Sequence, residues 1–448
     1  MKSRFSGWFV HILLIIVVLI SVIFTALIWI TPSYLQRLTG VTTAKRERIV
    51  DDSTTADKVK LADIYRPVSV GLNERNKTMQ LMSNQVDVVA TTLEALAKVR
   101  FSNIEDPRSL SKQEYLNYLK KDQLLLLNYG DKTSFGAIKS LLTETPKDKT
   151  YTFEHIALDL KGKQVYFLND DQTEVYTAKL GKGDLTQVEK LKTNENIKRV
   201  PVTYRYKNDD LLQYYDEALS VPRYSYLYNR ENIGMYVTRL LGTEKSNPAS
   251  LTTREQGEQT TYTDDSGQKL SVNNKTGLIT YTDYLTDDTA RQNWTWNSYL
   301  TNAFSDLEQL GANLNDVKYS EFDEQEKNVI YRSYIDGFPV ISDRDFGTYQ
   351  IQNRVRNKKI VFSQCSLQVP VPAAGKAVTL PATKDVVKEL EASQQVEVPK
   401  ISGIQIGYSV SQNSTASLVI DLTPTYFVKY NNVWINYEDL INGKKVEG

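Results

Sequence analysis

The stretch from Trp8 to Ile30, WFVHILLIIVVLISVIFTALIWI, contains no Asp, Glu, Lys or Arg. As a helix it reaches about 34 Å, enough to cross a hydrocarbon core of about 30 Å. Leu, Ile, Val and Phe dominate it. Each favours insertion by about 0.3–0.6 kcal/mol, which together outweighs His11, Ser21 and Thr25. A secretory signal has a shorter apolar region, about 7–15 residues, and small residues at its cleavage site. Here the span runs into Trp29, Ile30, Tyr34 and Leu35. It is therefore read as a retained anchor, with Trp8 and Trp29 at the two interfaces, and the rest of the chain is tied to a membrane surface.

Positive residues flank the span on both sides: Lys2 and Arg4 before it, Arg37, Lys45, Arg46 and Arg48 after it. Their count does not decide the orientation. A large domain after a signal anchor translocates largely regardless of flanking charge, which favours residues 1–7 as a short cytoplasmic tail and the bulk outside. So short a tail cannot house a signalling or catalytic module. Any message from the outer region must then pass through a partner in the bilayer.

The 54 basic and 54 acidic residues cancel, so there is no electrostatic footprint for nucleic acid. The 28 tyrosines, with Val and Thr, point to sheet. A single cysteine, Cys365, excludes an internal disulfide framework. It reads as a strand residue in KKIVFSQCSLQV.

The fold class expected is α+β: one N-terminal transmembrane helix, 8–30, then an elongated multidomain extracytoplasmic region of helices packed on antiparallel sheets. Thr31-Pro32 ends the anchor helix, and residues 31–66 form a polar stalk. Residues 67–195 read as an N-terminal α+β domain. Its strand VSVGL is followed by an amphipathic helix opening at Ser83, with Val86, Val89, Ala90, Leu93, Leu96 and Ala97 on one face. Ser111 and Glu114 form a capping box for a second helix. The run QLLLLNYG is a buried strand, Thr133 starts a third helix, and TFEHIALDL, KQVYFL and EVYTAKL are three strands. Residues 196–288 read as a middle helix-plus-meander domain, with its helix near Glu231–Leu241. Residues 289–448 read as a C-terminal domain of two such units, with helices at Ala290–Leu310 and Lys384–Ala392. The Pro-rich 369–383 stretch joins the two.

Little here points to catalysis. There are two histidines: His11 in the anchor and His155 in an alternating strand, where it reads as a sheet-face residue. No Cys-x-x-Cys, metal-binding His pair or glycine-rich phosphate cradle occurs. The acidic pairs Asp170-Asp171, Asp264-Asp265 and Asp323-Glu324 fall in predicted hairpin turns and read as solvated. No enzyme activity, cofactor or metal is expected. The anchor has more to offer. Gly7, His11, Leu14, Val18, Ser21, Thr25 and Ile28 alternate four and three apart and share one seam of the helix. Small residues there permit close approach, and hydroxyls can bond across to a partner helix. An inert anchor tolerating scattered polar residues is the competing reading.

Several segments, in order, resemble the YycH family, membrane-anchored regulators of the WalK (YycG) sensor histidine kinase of Gram-positive bacteria. They are TFEHIALDL–KQVYFL–EVYTAKL, SVPRYSYLYNRENIGMYVTRLLG, TTYTDDSGQKLSVNNKTGLITY, VIYRSYIDGFPVI and the closing LTPTYFVKYNNVWINY. The resemblance implies a single-pass protein of the cell membrane, N-terminus cytoplasmic and bulk extracytoplasmic. It further implies three outer domains, pairing with a YycI-like single-span protein, and modulation of the kinase through transmembrane contacts without enzyme activity. A homodimer stays open. The alternative is a membrane-tethered cell-wall binding module or wall-acting enzyme.

Overall fold

The computed structural model describes residues 59–242, 251–284, 289–342, 344–371 and 377–444. The cytoplasmic tail, the anchor and the stalk up to residue 58 lie outside the described residues. Among those described, no helix is long and apolar enough to cross a membrane. The fold is mixed α+β with mostly antiparallel sheets.

One sheet runs, neighbour by neighbour, through Asp210–Tyr215, Lys198–Lys207, Lys77–Met82, Ser69–Glu74, Leu124–Ser134, Thr152–Asp159, Gln164–Asn169, Glu174–Leu180 and Phe101–Ser102. Its central strands are buried on both faces, so LLLL is unbroken, and the strand of His155, expected to alternate, is instead buried almost throughout, Glu154 and His155 included. The Lys112–Leu119 helix covers one face, placing Tyr115 and Leu119 on Leu124, Leu126, Ala157 and Leu168. It begins at the expected capping box: Glu114 N–H donates to Ser111 Oγ at 3.3 Å, and Ser111 N–H donates to Glu114 Oε2 at 2.9 Å.

The Val88–Val99 helix buries Val88, Val89, Thr92, Ala95, Leu96 and Val99. The expected face was rotated from this one, for Ala97 is exposed. Thr92 can turn inward because its hydroxyl donates to Val88 O at 2.8 Å. The helix expected from Thr133 does not form. Thr133 and Ser134 finish a strand opposite Phe153 and Thr152, and only a short 3-10 turn, Lys139–Leu141, follows. Two strands that the sequence reading passed over, Lys198–Lys207 and Asp210–Tyr215, extend this sheet beyond Lys77–Met82.

A second sheet begins at Thr252–Gln256 and continues through Gln259–Thr263, Lys269–Asn273, Leu278–Asp283, Lys358–Ser363, Thr348–Asn353 and Asn328–Ile335. From there it passes to Phe338–Ile341, Ile401–Gln412, Val419–Tyr430, Tyr224–Arg230 and Cys365–Val371. Two cores lie along it. The first holds the Ile233–Leu241 and Trp296–Leu310 helices, through Tyr236, Leu240, Leu300 and Leu307. The second holds the Thr383–Ala392 helix, through Val386 and Leu390. The helix expected at Ala290–Leu310 is broken in two. A 3-10 turn, Thr289–Asn293, precedes it, and Thr295 caps the α-helix by accepting from Ser298 N–H at 3.3 Å. Local hairpins follow the expected meanders. The pairing that joins the cores does not, because Phe338–Ile341 runs parallel to Ile401–Gln412, with Val340 beside Tyr408.

The short helix Leu61–Ile64 leads into Tyr65, which is 1% exposed inside the first of these two cores. Its ring lies 4.9 Å from that of Tyr319, and its hydroxyl donates to Leu300 O at 2.9 Å and lies 2.6 Å from the Tyr331 hydroxyl. The described chain therefore starts from a fixed footing in that core.

Candidate functional site: a cleft between the two sheets

Two irregular strands meet where the first sheet approaches the second. Leu124–Ser134 loses register with Thr152–Asp159 between Asn128 and Thr133, so residues 129–132 leave the ladder. Val317–Asp323 loses register with Asn328–Ile335 between Tyr319 and Glu321. Bulges re-aim side chains and end pairing, and these two dock on each other. Phe322 N–H donates to Asp131 Oδ2 at 2.8 Å, and the Tyr319 hydroxyl donates to Lys132 O at 2.9 Å. Gly130 allows the approach, since a Cβ there would sit 2.9 Å from Ser320 O and 3.3 Å from Tyr319 O.

Around this contact lies a cleft of about 610 Å³. Its first wall includes Asp131, Glu154, His155, Asp170 and Asp210; its second includes Glu321, Ser402, Lys429 and Trp434. The walls handle charge differently. On the second, Glu321 is clasped by Lys429 at 2.9 Å and Arg332 at 3.3 Å, and it accepts from Trp434 Nε1 at 3.2 Å. Burial works against this carboxylate, but the two cations overcome it and hold its pKa below the usual range. On the first wall, burial pushes the Asp131 carboxyl up to about 6, although the Phe322 and Lys132 N–H groups pull the other way. Glu154, 7% exposed, is pushed well above the ordinary value, first by burial and then by the negative charge of Asp170. Lys132 ties the walls together, 2.6 Å from Asp171 and 2.9 Å from Glu324.

His155 is buried at the floor of the first wall. Its Nδ1 is 2.8 Å from Asn128 Oδ1, and its Nε2 is 3.0 Å from Asp170 Oδ2. Asp170 also accepts from the Tyr115 hydroxyl, and its N–H donates to Glu154 Oε2 at 2.9 Å. Both ring nitrogens face protein acceptors, so neither is left to take a proton from a nucleophile. The cluster works as a hydrogen-bonded strut.

The seam residues expected to bind a partner, Gly7, His11, Leu14, Val18, Ser21, Thr25 and Ile28, lie outside the described residues. The acidic pairs read as solvated turns fare unevenly. Asp264 closes its own turn, accepting from Gln268 N–H at 2.8 Å. Asp170-Asp171 and Asp323-Glu324 instead line the cleft from opposite sides. The signal that could have drawn attention to them is the Glu154-His155 pair inside a strong strand, because a buried histidine needs partners. Trp296 packs on the first core of the second sheet, with its ring 4.6 Å from Phe322 and Lys132 above it. Cys365 lies in a strand as expected, and burial raises its thiol pKa.

Residues 9–196 match the family described as YycH protein, N-terminal domain, and residues 219–441 match YycH protein, C-terminal domain. No curated protein matches the chain. Among solved structures, the crystal structure of YycH from Bacillus subtilis aligns with a TM-score of 0.68 at 13% sequence identity, covering 85% of this chain and 97% of that one. At that identity the likeness speaks for the fold alone.

Proposed function

The chain belongs to the YycH family, and on that premise we propose that it is a non-enzymatic regulator of a two-component system, acting on a WalK-type sensor histidine kinase. The observation that carries this reading is the match to both family domains, in order, over 9–196 and 219–441. Membership supports a regulatory role in the WalK (YycG) system. The finer parts are our own. The anchor, 8–30, crosses the cell membrane with the N-terminus inside. Its seam of Gly7, His11, Ser21 and Thr25 packs on kinase helices together with a YycI-like single-span partner. A contact difference of about 1–3 kcal/mol between two signalling arrangements would change output roughly 5–150-fold. The outer region would set the geometry of that complex. Tyr65 holds the first described residues against the folded region.

The test is a photo-cross-linker placed at position 21 or 25 of the full chain in its native membrane. A cross-link to the kinase or to a YycI-like protein is expected, and Ser21→Leu with Thr25→Leu should weaken kinase-dependent transcription. Cross-links to lipid alone, with unchanged output from the double variant, would overturn the seam mechanism. Binding or cleavage of purified peptidoglycan by the full chain in detergent would favour the wall-directed alternative instead.

A further inference from the structure

His155 heads a chain of polar side chains that can be hydrogen-bonded in two ways. Its Nε2 is 3.0 Å from Asp170 Oδ2, and its Nδ1 is 2.8 Å from Asn128 Oδ1. The Tyr204 hydroxyl lies 3.2 Å from Asn128 Oδ1 and 3.2 Å from Gln213 Oε1. It has a single proton and donates fully to only one of them. Gln213 Nε2 donates to Gln80 Oε1 at 2.8 Å. The Tyr215 hydroxyl reaches Gln80 Oε1, at 3.0 Å, and also the Gln213 side chain. Tyr215 N–H donates at 2.9 Å to Oγ1 of Thr383, the first residue of the Thr383–Ala392 helix. The chain thus runs from the cleft, which His155 lines, to a contact between the first sheet and the second core of the other.

The two arrangements follow from counting donors. A neutral imidazole donates from one nitrogen and an imidazolium from both. In the neutral ring, Nε2–H goes to Asp170 and Nδ1 accepts. Asn128 then turns its NH2 group toward Nδ1 and the Tyr204 oxygen, takes the Ser69 hydroxyl proton on its own oxygen, and leaves Tyr204 to donate to Gln213. In the protonated ring, Nδ1–H needs an acceptor. Asn128 then presents Oδ1 to Nδ1 and to Tyr204, and its NH2 group donates to Ser69 Oγ at 3.0 Å. Gln213 Oε1 is left to Tyr215. Neither arrangement strands a donor of this chain, so both meet the requirement that buried polar groups be paired.

We propose that His155 is a proton-operated switch: protonation of its ring turns the Asn128 amide over, moves the Tyr204 hydroxyl from Gln213 to Asn128, and resets the hydrogen bonds of Tyr215 where it meets Thr383. The titratable groups around the ring come from every element packed there. Glu154 is on its own strand, Asp170 and Asp171 are on the following turn, and Asp131 and Lys132 are on the bulge. Tyr115 reaches in from its helix, Tyr204, Tyr206 and Asp210 come from the strands beyond, and Glu321 and Lys429 face them from the second wall. Both lysines are already paired with Asp171, Glu324 and Glu321, so neither stands unmatched against a proton on the ring.

The experiment is nitrogen NMR of the full chain in detergent, isotope-labelled at histidine, from about pH 5 to pH 8, the range in which histidines change charge. The chain has two histidines, and His11→Gln leaves the His155 signals alone in the spectrum. Nε2 should carry its proton throughout, while Nδ1 should pass from bare to protonated on acidification. The far end of the chain is read by hydrogen exchange of Asp210–Tyr215, corrected for the intrinsic effect of pH. Protection there should differ about two- to twelvefold between the ends of the range, the net worth of one hydrogen bond. That difference should vanish in Tyr204→Phe, which keeps the ring and removes the hydroxyl. Asn128→Asp, which offers Nδ1 only acceptors, should move the Nδ1 transition to higher pH. A single Nδ1 state across the range would overturn the proposal, and this is read on the native outer sequence, whether or not the variants fold. So would equal protection at both ends, an exchange difference that survives Tyr204→Phe, or an unmoved transition in folded Asn128→Asp. These readouts concern the outer region alone, so failure here is distinct from failure of the regulatory reading, which is judged by cross-linking and transcription.

Discussion

The two walls of the cleft place carboxyl groups in similar surroundings and obtain opposite results. Glu321 is held charged by Arg332 and Lys429. Asp131 and Glu154 have no such clasp and are pushed toward the neutral form. Burial alone opposes ionisation in all three, so the deciding factor is whether a cation has been buried alongside. The second wall is a closed electrostatic unit. The first is an open one, in which burial outweighs the nearby charges and favours the protonated acids.

The sharpest way to break this contrast is Glu321→Gln, which keeps the shape and removes the charge. Arg332, only 8% exposed, would lose its one carboxylate partner among the described residues. Removing one member of a buried pair costs about 3–5 kcal/mol. Chemical denaturation should show a loss of that size, and the variant should also lose its acid sensitivity. Glu321 has a depressed folded pKa, so its stabilisation is present above the unfolded value and fades as pH falls through the folded one.

Next in size is Gly130→Ala, which tests whether the walls must touch at all. The new methyl would meet the backbone oxygens of Ser320 and Tyr319, neither of which is a side-chain tip that can swing away. A cost of about 1–3 kcal/mol is expected from such overpacking. A melting temperature equal to that of the parent would show that the two bulges have more room than their hydrogen bonds imply.

Much of each wall's framework was legible in sequence, because it is local. Ser111 with Glu114 announces its helix three residues ahead, and the strands TFEHIALDL, KQVYFL and EVYTAKL pair in the order in which they are read. The site was not legible, and the reason is physical. Asp170-Asp171 and Asp323-Glu324 carry ordinary turn signals, and nothing near them in sequence says that two turns more than 150 residues apart will face each other. The bulge at 129–132 hides inside a strong apolar strand, and its extra residues make sense only once Phe322 is found opposite Asp131. The Thr133 helix was misread for the same reason. A local cap-like signal lost to pairing with Phe153 across the sheet. Val340 meets Tyr408 through a parallel pairing that no hairpin rule could anticipate.

The open wall should titrate with the opposite sign to the closed one. Asp131 has a folded pKa near 6 against an ordinary value of 3.8. Its contribution is therefore complete below about pH 4 and is lost as pH rises through about 6, a change of about 3 kcal/mol. Asp131→Asn should flatten that part of the stability–pH curve, and Glu154→Gln should flatten a part lying at higher pH. If instead Asp131→Asn left the curve unchanged, the contrast between the walls would rest on Glu154 alone.

The smallest effect should come from the side chain that joins the walls. Lys132 reaches Asp171 and Glu324, but those partners are 59% and 53% exposed, so water already screens them. Exposed pairs contribute about 0–1 kcal/mol. Its stem also lies beside the Trp296 ring, where the ammonium sits 4.8 Å from the centroid. Lys132→Met keeps that packing and removes only the charge, so thermal unfolding should shift by no more than a degree or two. The small size is informative. If the variant lost several kcal/mol instead, Lys132 would be the buried counter-ion of the first wall, Asp171 and Glu324 would act as a clasp like that around Glu321, and the wall would be closed rather than open. A near-neutral result, with the loss from Asp131 between about pH 4 and 6 retained, is what an unclasped wall requires.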